Sequence, residues 1–400
     1  MMAAIFAARA GAKTTLLERN EKLGKKLYIT GKGRCNVTNQ CGREEFLTQV
    51  VRNPRFLFGA FHALGPESLM AFLEDAGCPL QVERGNRVFP QSNKASDVTR
   101  ALTRELQKAG VQVRLSSRVR KLLTENGHVS GVILETGEKL AAHSVIIATG
   151  GKSYPVTGST GDGYDLACQA GHTLVHPQAS LVPLTAAVSW PSQLQGLSLK
   201  NVRLSARREG KTAYSELGEM LFTHFGISGP LALEMSSHIL DHPAGEWLVT
   251  LDLKPGLTKE QLEARLLRDF EAGSRKQFLS LLPGLLPGKL ASLFPELCGI
   301  PGEKPVHQIT RAERERLVSL LKELPIPLSG VRPIEEAIVT RGGVQVKEIT
   351  PATMESKLMP GLFFAGEVLD VDAHTGGFNL QIAFSTGALA GRCAAESAED

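Results

Sequence analysis

The pattern of apolar and polar positions predicts a chain in which buried strands alternate with helices. Residues 1–10 and most of residues 66–110 predict helices, because apolar side chains recur there with helical spacing. Residues 13–17 and 144–149 predict strands, and the unbroken Val-Ile-Ile-Ala run of the second is typical of a buried parallel strand. Alternating residues at 129–141 predict a hairpin. This mixture indicates an α/β fold.

The C-terminal part of the chain contains the most informative pattern. An apolar strand at 362–365 leads into a tight turn at Gly366 and Glu367, a glycine-rich loop at 370–377 and a helix that begins near Asn379. A strand that ends in an acidic turn, with a helix N-terminus directed at the same place, can hold a polar cofactor at the carboxyl end of a sheet. We therefore predict a flavin site here.

The middle of the chain has a different character. Residues 199–208 alternate apolar and polar side chains, which predicts a strand of a small β subdomain. Thr258 with Gln261, and Thr310 with Glu313, have the spacing of capping boxes that open amphipathic helices. The predicted organisation is a first domain of residues 1–177 and 336–400, a β subdomain of residues 178–256 and 325–335, and a helical subdomain of residues 257–324.

The first 18 residues have the order of the second half of a dinucleotide-binding βαβ unit. Gly11 stands where the helix would stop, and Glu18 ends the following strand. In such units an acidic residue about 20 positions after a GxGxxG turn binds the adenosine ribose. That turn and its strand do not precede Met1 in this sequence. We expect either that translation starts upstream or that the chain is a natural truncation; a stop codon immediately upstream would contradict the first.

A polar loop with glycines follows. Lys25 and Lys26 offer ammonium groups to a phosphate, and Gly33 allows a close approach of the backbone to a ligand. Arg34 and Cys35 come directly after it. By itself such a loop is more often a plain surface turn.

Several longer motifs resemble one known family. They are GKKLYITGKGRCNVTN at 24–39, ATGG at 148–151, LFTHFGISGP at 221–230, TRGGV at 340–344, GLFFAGEVLDVD at 361–372 and TGGFNLQ at 375–381. In this order they resemble the BaiN/YhiN-type FAD-dependent flavoproteins, also called the aminoacetone oxidase family. The resemblance covers the full chain apart from the family's first strand and GxGxxG. It implies an α/β, glutathione-reductase-like FAD-binding domain, here N-terminally truncated, with inserted β and helical subdomains.

The resemblance also implies the cofactor contacts. Glu18 would bind the adenosine ribose, the backbone of Val119 the adenine, and Glu367 the ribityl hydroxyls, while the N-terminus of the last helix would face the flavin ring. The complete expected set is Glu18, Lys25, Lys26, Gly33, Arg34, Val119, Thr149, Gly150, Gly151, Gly366, Glu367, Asp372, Asn379 and Leu380.

Residues 158–163, GSTGDG, could be mistaken for a second nucleotide loop. No strand followed by GxGxxG leads into them, so we interpret them as a helix N-terminus capped by Asp162. The sequence therefore shows no separate NAD(P)H domain, although NAD(P)H stays a candidate electron donor.

Members of the resembling family are linked to reduction of a carbon-carbon double bond conjugated to a carbonyl, in bile-acid-type enones, and to conversion of uridine to dihydrouridine in ribosomal RNA. Such a reaction needs hydride from the flavin, a donor that polarises the carbonyl, and a proton for the α-carbon. Cys35 is the candidate proton donor, and Arg34, Arg341 and His374 are candidate polarisers. For each of them a structural role is the commoner alternative. Other readings left open are an FAD-dependent amine or aminoketone oxidase, a silent flavin-binding protein, and a truncated remnant without activity.

Composition changes this picture little. A hydrophobic content of 42%, a charged content of 22% and a net charge of +4 are ordinary for a globular protein and permit an anionic partner. Arg84 and Arg87, in a polar hairpin or loop, could face a substrate, although arginines in a solvated turn are the commoner case. A basic run in the predicted helical subdomain is usually a solvated helix face and would matter only if the substrate is RNA. The apolar runs are shorter than the roughly 20 residues of a membrane span. Six scattered cysteines without a CxxC pair favour a cytoplasmic protein without zinc or disulfides, and no pattern sets the oligomeric state.

Overall fold

The computed structural model describes residues 1–397 and divides into two compact units. The first unit comprises Met1–Ser180 and Pro333–Asp400, and the second comprises Leu181–Arg332. The second unit is thus inserted into the first.

The helices and strands follow the predicted alternation. The helices are α1 (Met2–Arg9), α2 (Lys25–Ile29), α3 (Arg43–Thr48), α4 (Phe58–Ala63), α5 (Pro66–Asp75), α6 (Ala95–Lys108), α7 (Asp162–Gln169), α8 (Trp190–Gln193), α9 (Pro230–Ile239), α10 (Lys259–Ala272), α11 (Phe278–Leu281), α12 (Gly288–Cys298), α13 (Arg311–Lys322) and α14 (Phe378–Glu396). The strands are β1 (Thr15–Leu17), β2 (Thr38–Asn39), β3 (Leu80–Glu83), β4 (Arg87–Pro90), β5 (Gln112–Arg114), β6 (Val119–Glu125), β7 (His128–Leu134), β8 (Lys139–Ala141), β9 (Val145–Ile147), β10 (Leu174–Ser180), β11 (Leu184–Ala186), β12 (Ser198–Arg208), β13 (Lys211–Thr223), β14 (Gly226–Ser228), β15 (Leu248–Asp252), β16 (Leu324–Pro325), β17 (Leu328–Val331), β18 (Val339–Val344) and β19 (Leu362–Phe364).

Two parallel strand pairs form the centre of the first unit. Strand β1 pairs with β5, and β9 pairs with β19 with Ile146 opposite Phe363. All three residues of β19 are buried, as their apolar run predicts. Because β9 and β19 run parallel, their carboxyl ends place Thr149 and Glu367 at the same edge.

Antiparallel strands surround these pairs. The order β6-β7-β8 contains the predicted hairpin, with Gly137 at a φ of 89° in its turn. Strands β2, β4 and β3 form a second sheet, and β10 pairs with β18. Strand β18 is buried along its whole length, so Thr340 and Arg341 lie inside the first unit.

The long helix α14 packs closely on α1. A side chain at Gly391 would meet the carbonyl oxygen of Ala3 at 2.2 Å, so the two backbones touch here. Helix α1 accordingly carries mostly alanine on this side, and Ile5 is fully buried. Small residues in both helices therefore fix their distance.

One segment, Pro54–Asp75, has the length and the mean hydropathy of 1.3 of a membrane span. It consists of separate helices, because the chain leaves helical geometry at Leu64 and Gly65. Leu57 and Leu69 from its two parts are fully buried in the core of the first unit. The segment is weak evidence for a membrane span.

The second unit is a seven-stranded sheet covered by helices. Its strand order is β16-β15-β12-β13-β14-β11-β17. Both predicted capping boxes are present, since Thr258 and Thr310 each accept a hydrogen bond from the third helical residue. Phe222 of the sheet and Phe294 of the helices belong to one hydrophobic core. The β and helical parts therefore form one compact unit.

Candidate functional site

Glu367 is held at the end of β19 by groups from two other segments. Its Oε1 accepts hydrogen bonds from the backbone N–H of Thr340, at 2.7 Å, and from the Ser153 hydroxyl, at 3.2 Å. The turn before it is possible because Gly366 adopts a φ of 76°, and the Gly366 N–H donates to Thr386 of α14 at 2.9 Å. The carboxylate is thereby fixed in position.

Lys26 completes this cluster. Its ammonium group donates to the Ser153 hydroxyl at 2.6 Å and to the Ser153 carbonyl at 3.0 Å, and it lies 3.8 Å from Glu367. Burial lowers the pKa of Lys26, and the charge of Glu367 opposes that shift. Its neighbour Lys25 instead forms an ion pair with Glu21 at 2.7 Å.

The position of the loop after β9 depends on hydrogen bonds to Thr340. The Thr340 hydroxyl accepts hydrogen bonds from the N–H groups of Lys152, at 2.8 Å, and Ser153, at 3.1 Å. A side chain at Gly151 would meet this hydroxyl at 2.3 Å, and Gly150 has a φ of 74°. The two glycines therefore permit a close approach between the loop and β18 that other residues would prevent.

The same loop also reaches Glu18. The Glu18 carboxylate accepts hydrogen bonds from the backbone and side-chain N–H groups of Asn20, both at 2.8 Å. The Asn20 amide in turn donates to the carbonyl of Thr157 at 3.0 Å. One loop thus connects the two acidic residues that the sequence assigns to opposite halves of the cofactor.

The expected cap at Asp162 is wrong. Helix α7 begins at Asp162 itself, its N-cap is Gly161, and no side-chain cap forms. The Asp162 carboxylate binds Arg118 at 2.9 and 3.0 Å and Arg19 at 2.9 Å. Burial would raise the pKa of Asp162, but hydrogen bonds from Arg118 and Thr160 outweigh it and lower the pKa. Two arginines that are distant in sequence thus bind the Asp162 side chain. One of them, Arg118, directly precedes Val119 at the start of β6.

The N-terminus of α14 is fixed by its own loop. The Asn379 amide donates to the carbonyls of Ala373, at 2.7 Å, and His374, at 3.2 Å, while its oxygen accepts from the Ala373 N–H. A side chain at Gly377 would meet the carbonyl oxygen of Thr38 at 2.3 Å, which places β2 directly against the helix start. Leu380 packs against the hydrophobic core on the next turn.

Asp372 is a buried carboxylate in this loop. Its Oδ2 accepts a hydrogen bond from Ser180 at 3.0 Å, and the side chains of Arg341 and Arg52 act on it electrostatically. Burial raises the pKa of Asp372 to about 6, although Ser180 and the two arginines oppose the shift. Arg341 is itself 5% exposed. The structure therefore brings Asp372 and Arg341 together inside the first unit.

The remaining catalytic candidates lie in different surroundings. Cys35 is fully buried, and burial raises the pKa of its thiol to about 12. Arg34, after the exposed Gly33, pairs with Glu83 and lies 4.0 Å above the ring of Phe89. These contacts favour structural roles for Cys35 and Arg34.

His374 lies in the loop before α14. Its backbone N–H donates to the carbonyl of Gln49 at 2.9 Å, and burial lowers the pKa of its imidazole. The imidazole is therefore neutral near pH 7, so one of its nitrogens carries a hydrogen to donate.

Ser153, Thr340, Tyr164 and Asn36 are not among the site residues expected from the sequence. Ser153 and Thr340 are the groups that bind Glu367. Ser153 lies two residues after Gly151, and Thr340 directly precedes Arg341. Within residues 1–397, the buried oxygens Tyr164 Oη, Asn36 Oδ1 and Asp372 Oδ1 of the first unit and Thr223 Oγ1 of the second have no hydrogen-bond partner. A buried polar atom without a partner costs about 1–3 kcal/mol, so a polar ligand that reaches such an atom in the first unit would be favoured. The residues fit a dinucleotide such as FAD.

Comparison with known proteins agrees with this geometry. The family model described as "HI0933-like protein Rossmann domain" matches residues 1–393. The chain belongs to this family. It is 32% identical to the 3-dehydro-bile acid delta(4,6)-reductase of Clostridium scindens, over 99% of this chain and 96% of that protein. It is 31% identical to the ribosomal RNA dihydrouridine synthase of Haemophilus influenzae, over 95% and 92%.

A solved structure shows the same fold. The 3-ketosteroid-delta4-(5alpha)-dehydrogenase of Rhodococcus jostii RHA1, solved with 4-androstene-3,17-dione, superposes with a TM-score of 0.51 at 16% identity. The superposition covers 100% of this chain and 94% of that one. The expected family and the α/β class with a Rossmann-type FAD-binding domain are confirmed. The protein is an FAD-dependent oxidoreductase.

Proposed function

We propose that this protein reduces a carbon-carbon double bond conjugated to a carbonyl, with uridine in ribosomal RNA as the substrate. One observation carries the proposal: two relatives with nearly equal identity across almost their whole length are named for reactions on such bonds. A steroid-like enone is the second candidate, because the bile acid reductase matches equally well. The ring of uracil and a steroid enone share the conjugated system that the chemistry requires.

The first unit supplies the residues that would hold FAD. Glu18, Val119 and the Thr149–Gly151 loop would hold the adenosine part, with Lys25, Lys26 and the Gly33 loop near the phosphates. Glu367, Gly366 and the N-terminus of α14 would hold the flavin part, because a fixed carboxylate accepts from ribityl hydroxyls and helix amides favour negative charge on the ring. When bound, reduced FAD would supply the hydride.

Arg341 and His374 are the groups we assign to the substrate carbonyl. Both lie in the first unit, and each can donate a hydrogen bond that grows stronger as charge develops on the carbonyl oxygen. Asp372 would hold the Arg341 guanidinium in place, since the two interact electrostatically and Ser180 fixes the carboxylate. Because Cys35 is buried and its thiol has a pKa of about 12, we assign the proton to solvent rather than to this thiol.

We place the enzyme in the cytoplasm, in agreement with its six free thiols, and NAD(P)H is the proposed source of electrons. An aminoketone oxidase is the other outcome to be tested, because oxidation and reduction of a bound flavin use the same site.

The experiment uses the purified flavoprotein. Ribosomal RNA from a strain that lacks the gene, or a 3-keto steroid with conjugated double bonds, is incubated with enzyme and NADPH. Dihydrouridine is measured by mass spectrometry and enone loss by ultraviolet absorbance. New dihydrouridine in the RNA supports the proposal, and turnover of the steroid alone supports the second candidate. Hydrogen peroxide formed from an aminoketone, with neither reduction, would overturn both.

A further inference from the structure

The positive charge of this protein is concentrated in two segments of the first unit. Residues 20–36 and 81–94 together carry eight basic and two acidic side chains, whereas the net charge of all 400 residues is only +4. The remainder of the chain is therefore slightly acidic. A local excess of this kind attracts polyanions much more strongly than a uniform distribution of the same net charge.

The fold joins these segments into one surface. The Arg34 guanidinium lies 4.0 Å above the ring of Phe89, and the Arg87 guanidinium approaches the same ring at 5.9 Å. A side chain at Gly31 would meet that ring at 3.2 Å. We call this the basic surface, and its exposed members are Lys22, Tyr28, Lys32, Arg84, Arg87 and Lys94.

Most of its cations are not neutralised within the protein. The two carboxylates of these segments are already used, because Glu21 pairs with Lys25 and Glu83 pairs with Arg34. No carboxylate in the described part of the chain forms an ion pair with Lys22, Lys32, Arg84 or Arg87. Their ammonium and guanidinium groups are exposed and can contact phosphates without breaking an internal ion pair.

An exposed aromatic ring lies among these cations. Tyr28 is 37% exposed, and the ammonium group of Lys22 lies 5.2 Å from the centre of its ring. Neighbouring Ile29 is also exposed, at 41%. Aromatic rings beside cations are the arrangement on which single-stranded nucleic acids stack their bases while their phosphates are neutralised.

A buried side chain connects the basic surface to the candidate site. The Asn39 amide donates to the carbonyl of Gly85, in the turn between Arg84 and Arg87, at 3.0 Å. The same amide donates to the carbonyl of Gly376, directly before α14, at 3.2 Å. The hairpin turn and the expected flavin end of the site are thus held together through one residue.

We propose that the basic surface binds the phosphate backbone of the RNA substrate and presents a uridine to the site. The inference rests on the proposed reduction of uridine in RNA and adds the element that selects a polynucleotide over a small enone. Phosphate contacts would position the strand, while the site itself would select the base.

The test compares two variants with equal loss of charge. The first replaces Lys32, Arg84 and Arg87 by Gln, and the control replaces Lys200, Arg203 and Lys211 by Gln, which are exposed residues of the second unit outside its basic helical run. Binding of a labelled single-stranded oligouridylate is measured by fluorescence anisotropy at several salt concentrations. Flavin content and melting temperature check that both variants fold.

We expect the first variant to bind about 10- to 100-fold more weakly at low salt. The slope of log binding constant against log salt concentration should become smaller by about 2, because each phosphate contact of a single strand contributes roughly 0.7 to that slope. The control variant should bind as the wild type does. Equal binding by all three proteins would overturn the inference, as would binding to phosphatidylglycerol vesicles that RNA does not displace.

The two proposals fail in different ways. If the wild type forms dihydrouridine and the first variant does so with unchanged affinity for RNA, the basic surface is excluded while the function stands. If RNA binds through the basic surface and no dihydrouridine forms, the binding inference stands and the proposed reaction is overturned.

Discussion

Glu367 uses Oε1 for two internal hydrogen bonds, and Lys26 lies near its Oε2. A carboxylate held so firmly can serve a ligand with little loss of side-chain entropy on binding. The residues around it act as a unit, since Thr340 positions the loop that carries Ser153. The affinity for FAD should therefore depend strongly on this one side chain.

Glu367→Ala tests that dependence. Because hydrogen bonds to a charged group contribute about 1.5–3 kcal/mol, we expect the dissociation constant for FAD to rise roughly 10- to 100-fold. Flavin fluorescence quenching measures the affinity, and the absorbance ratio of the purified protein reports its flavin content. The control is Glu138→Ala, which removes an exposed carboxylate paired with Arg114. Equal flavin affinity in both variants would remove Glu367 from the site.

The raised pKa of Asp372 leads to a prediction about how the stability of the protein depends on pH. Its pKa is raised from 3.8 to about 6 in the folded protein, so the folded state holds this proton more tightly than the unfolded state. The ionised carboxylate therefore lowers stability above pH 6, and this penalty disappears as the pH falls towards 4. A shift of this size corresponds to about 3 kcal/mol.

We expect the flavin-free Asp372→Asn variant to melt several degrees above the wild type at pH 8 and to match it near pH 4. Differential scanning calorimetry at a series of pH values measures this. The neighbouring Asp370→Asn should instead melt below the wild type at pH 8, because Asp370 binds Arg52 at 3.0 and 3.2 Å and is almost completely buried. A lower melting temperature of Asp372→Asn at pH 8 would contradict this expectation, because it would show that Ser180 and the nearby arginines fully compensate the charge of Asp372.

At the scale of elements, the contact between α1 and α14 is set by backbone rather than by side chains. Gly391 faces the carbonyl oxygen of Ala3 at 2.2 Å from its ideal Cβ position, whereas the nearest atom at Gly387 is 3.4 Å away. Both glycines lie in the interior of the same helix. They form a matched pair in which only the space available differs.

Gly391→Ala should destabilise the first unit by about 1–3 kcal/mol, because α1 must move to admit a methyl group. Gly387→Ala should be neutral or stabilising by up to about 1 kcal/mol, since alanine favours a helix over glycine. The melting temperatures of the two variants test this directly. Equal effects would mean that α1 adjusts its position without cost.

At the scale of the whole molecule, the described chain has separate hydrophobic cores in its two units. The core of the second unit contains Phe222 and Phe294, and those of the first contain residues such as Phe46 and Leu102. Every residue that the sequence assigns to FAD belongs to the first unit. Binding of FAD should therefore raise the free energy of unfolding of the first unit more than that of the second.

We expect calorimetry of the flavin-free protein to resolve two transitions, of which FAD raises one. At a free concentration of 100 times the dissociation constant the added stability is about 2.7 kcal/mol, enough for a shift of several degrees. A variant of the second unit, Leu251→Ala, should lower only the other transition, because Leu251 is fully buried there. A single transition that both changes move would show that the units unfold together.

Local elements of this protein could be predicted because their causes are local. The capping boxes at Thr258 and Thr310, the hairpin at Gly137 and the strand and turn before Glu367 each depend on a few consecutive residues. The expectation for Asp162 failed for the opposite reason. Arg19 and Arg118 are far away in sequence, and in the folded protein their guanidinium groups bind the Asp162 carboxylate.

The sequence by itself determined the alternation of helices and strands, the family, and the acidic and glycine-rich positions of the site, because these depend on periodicity and short motifs. Only the tertiary structure decided that Ser153 and Thr340 hold Glu367, that Cys35 is buried, and that two basic segments form one surface. These facts depend on contacts between residues distant in the chain. The energies of these contacts come from burial and charge, which a linear pattern does not contain.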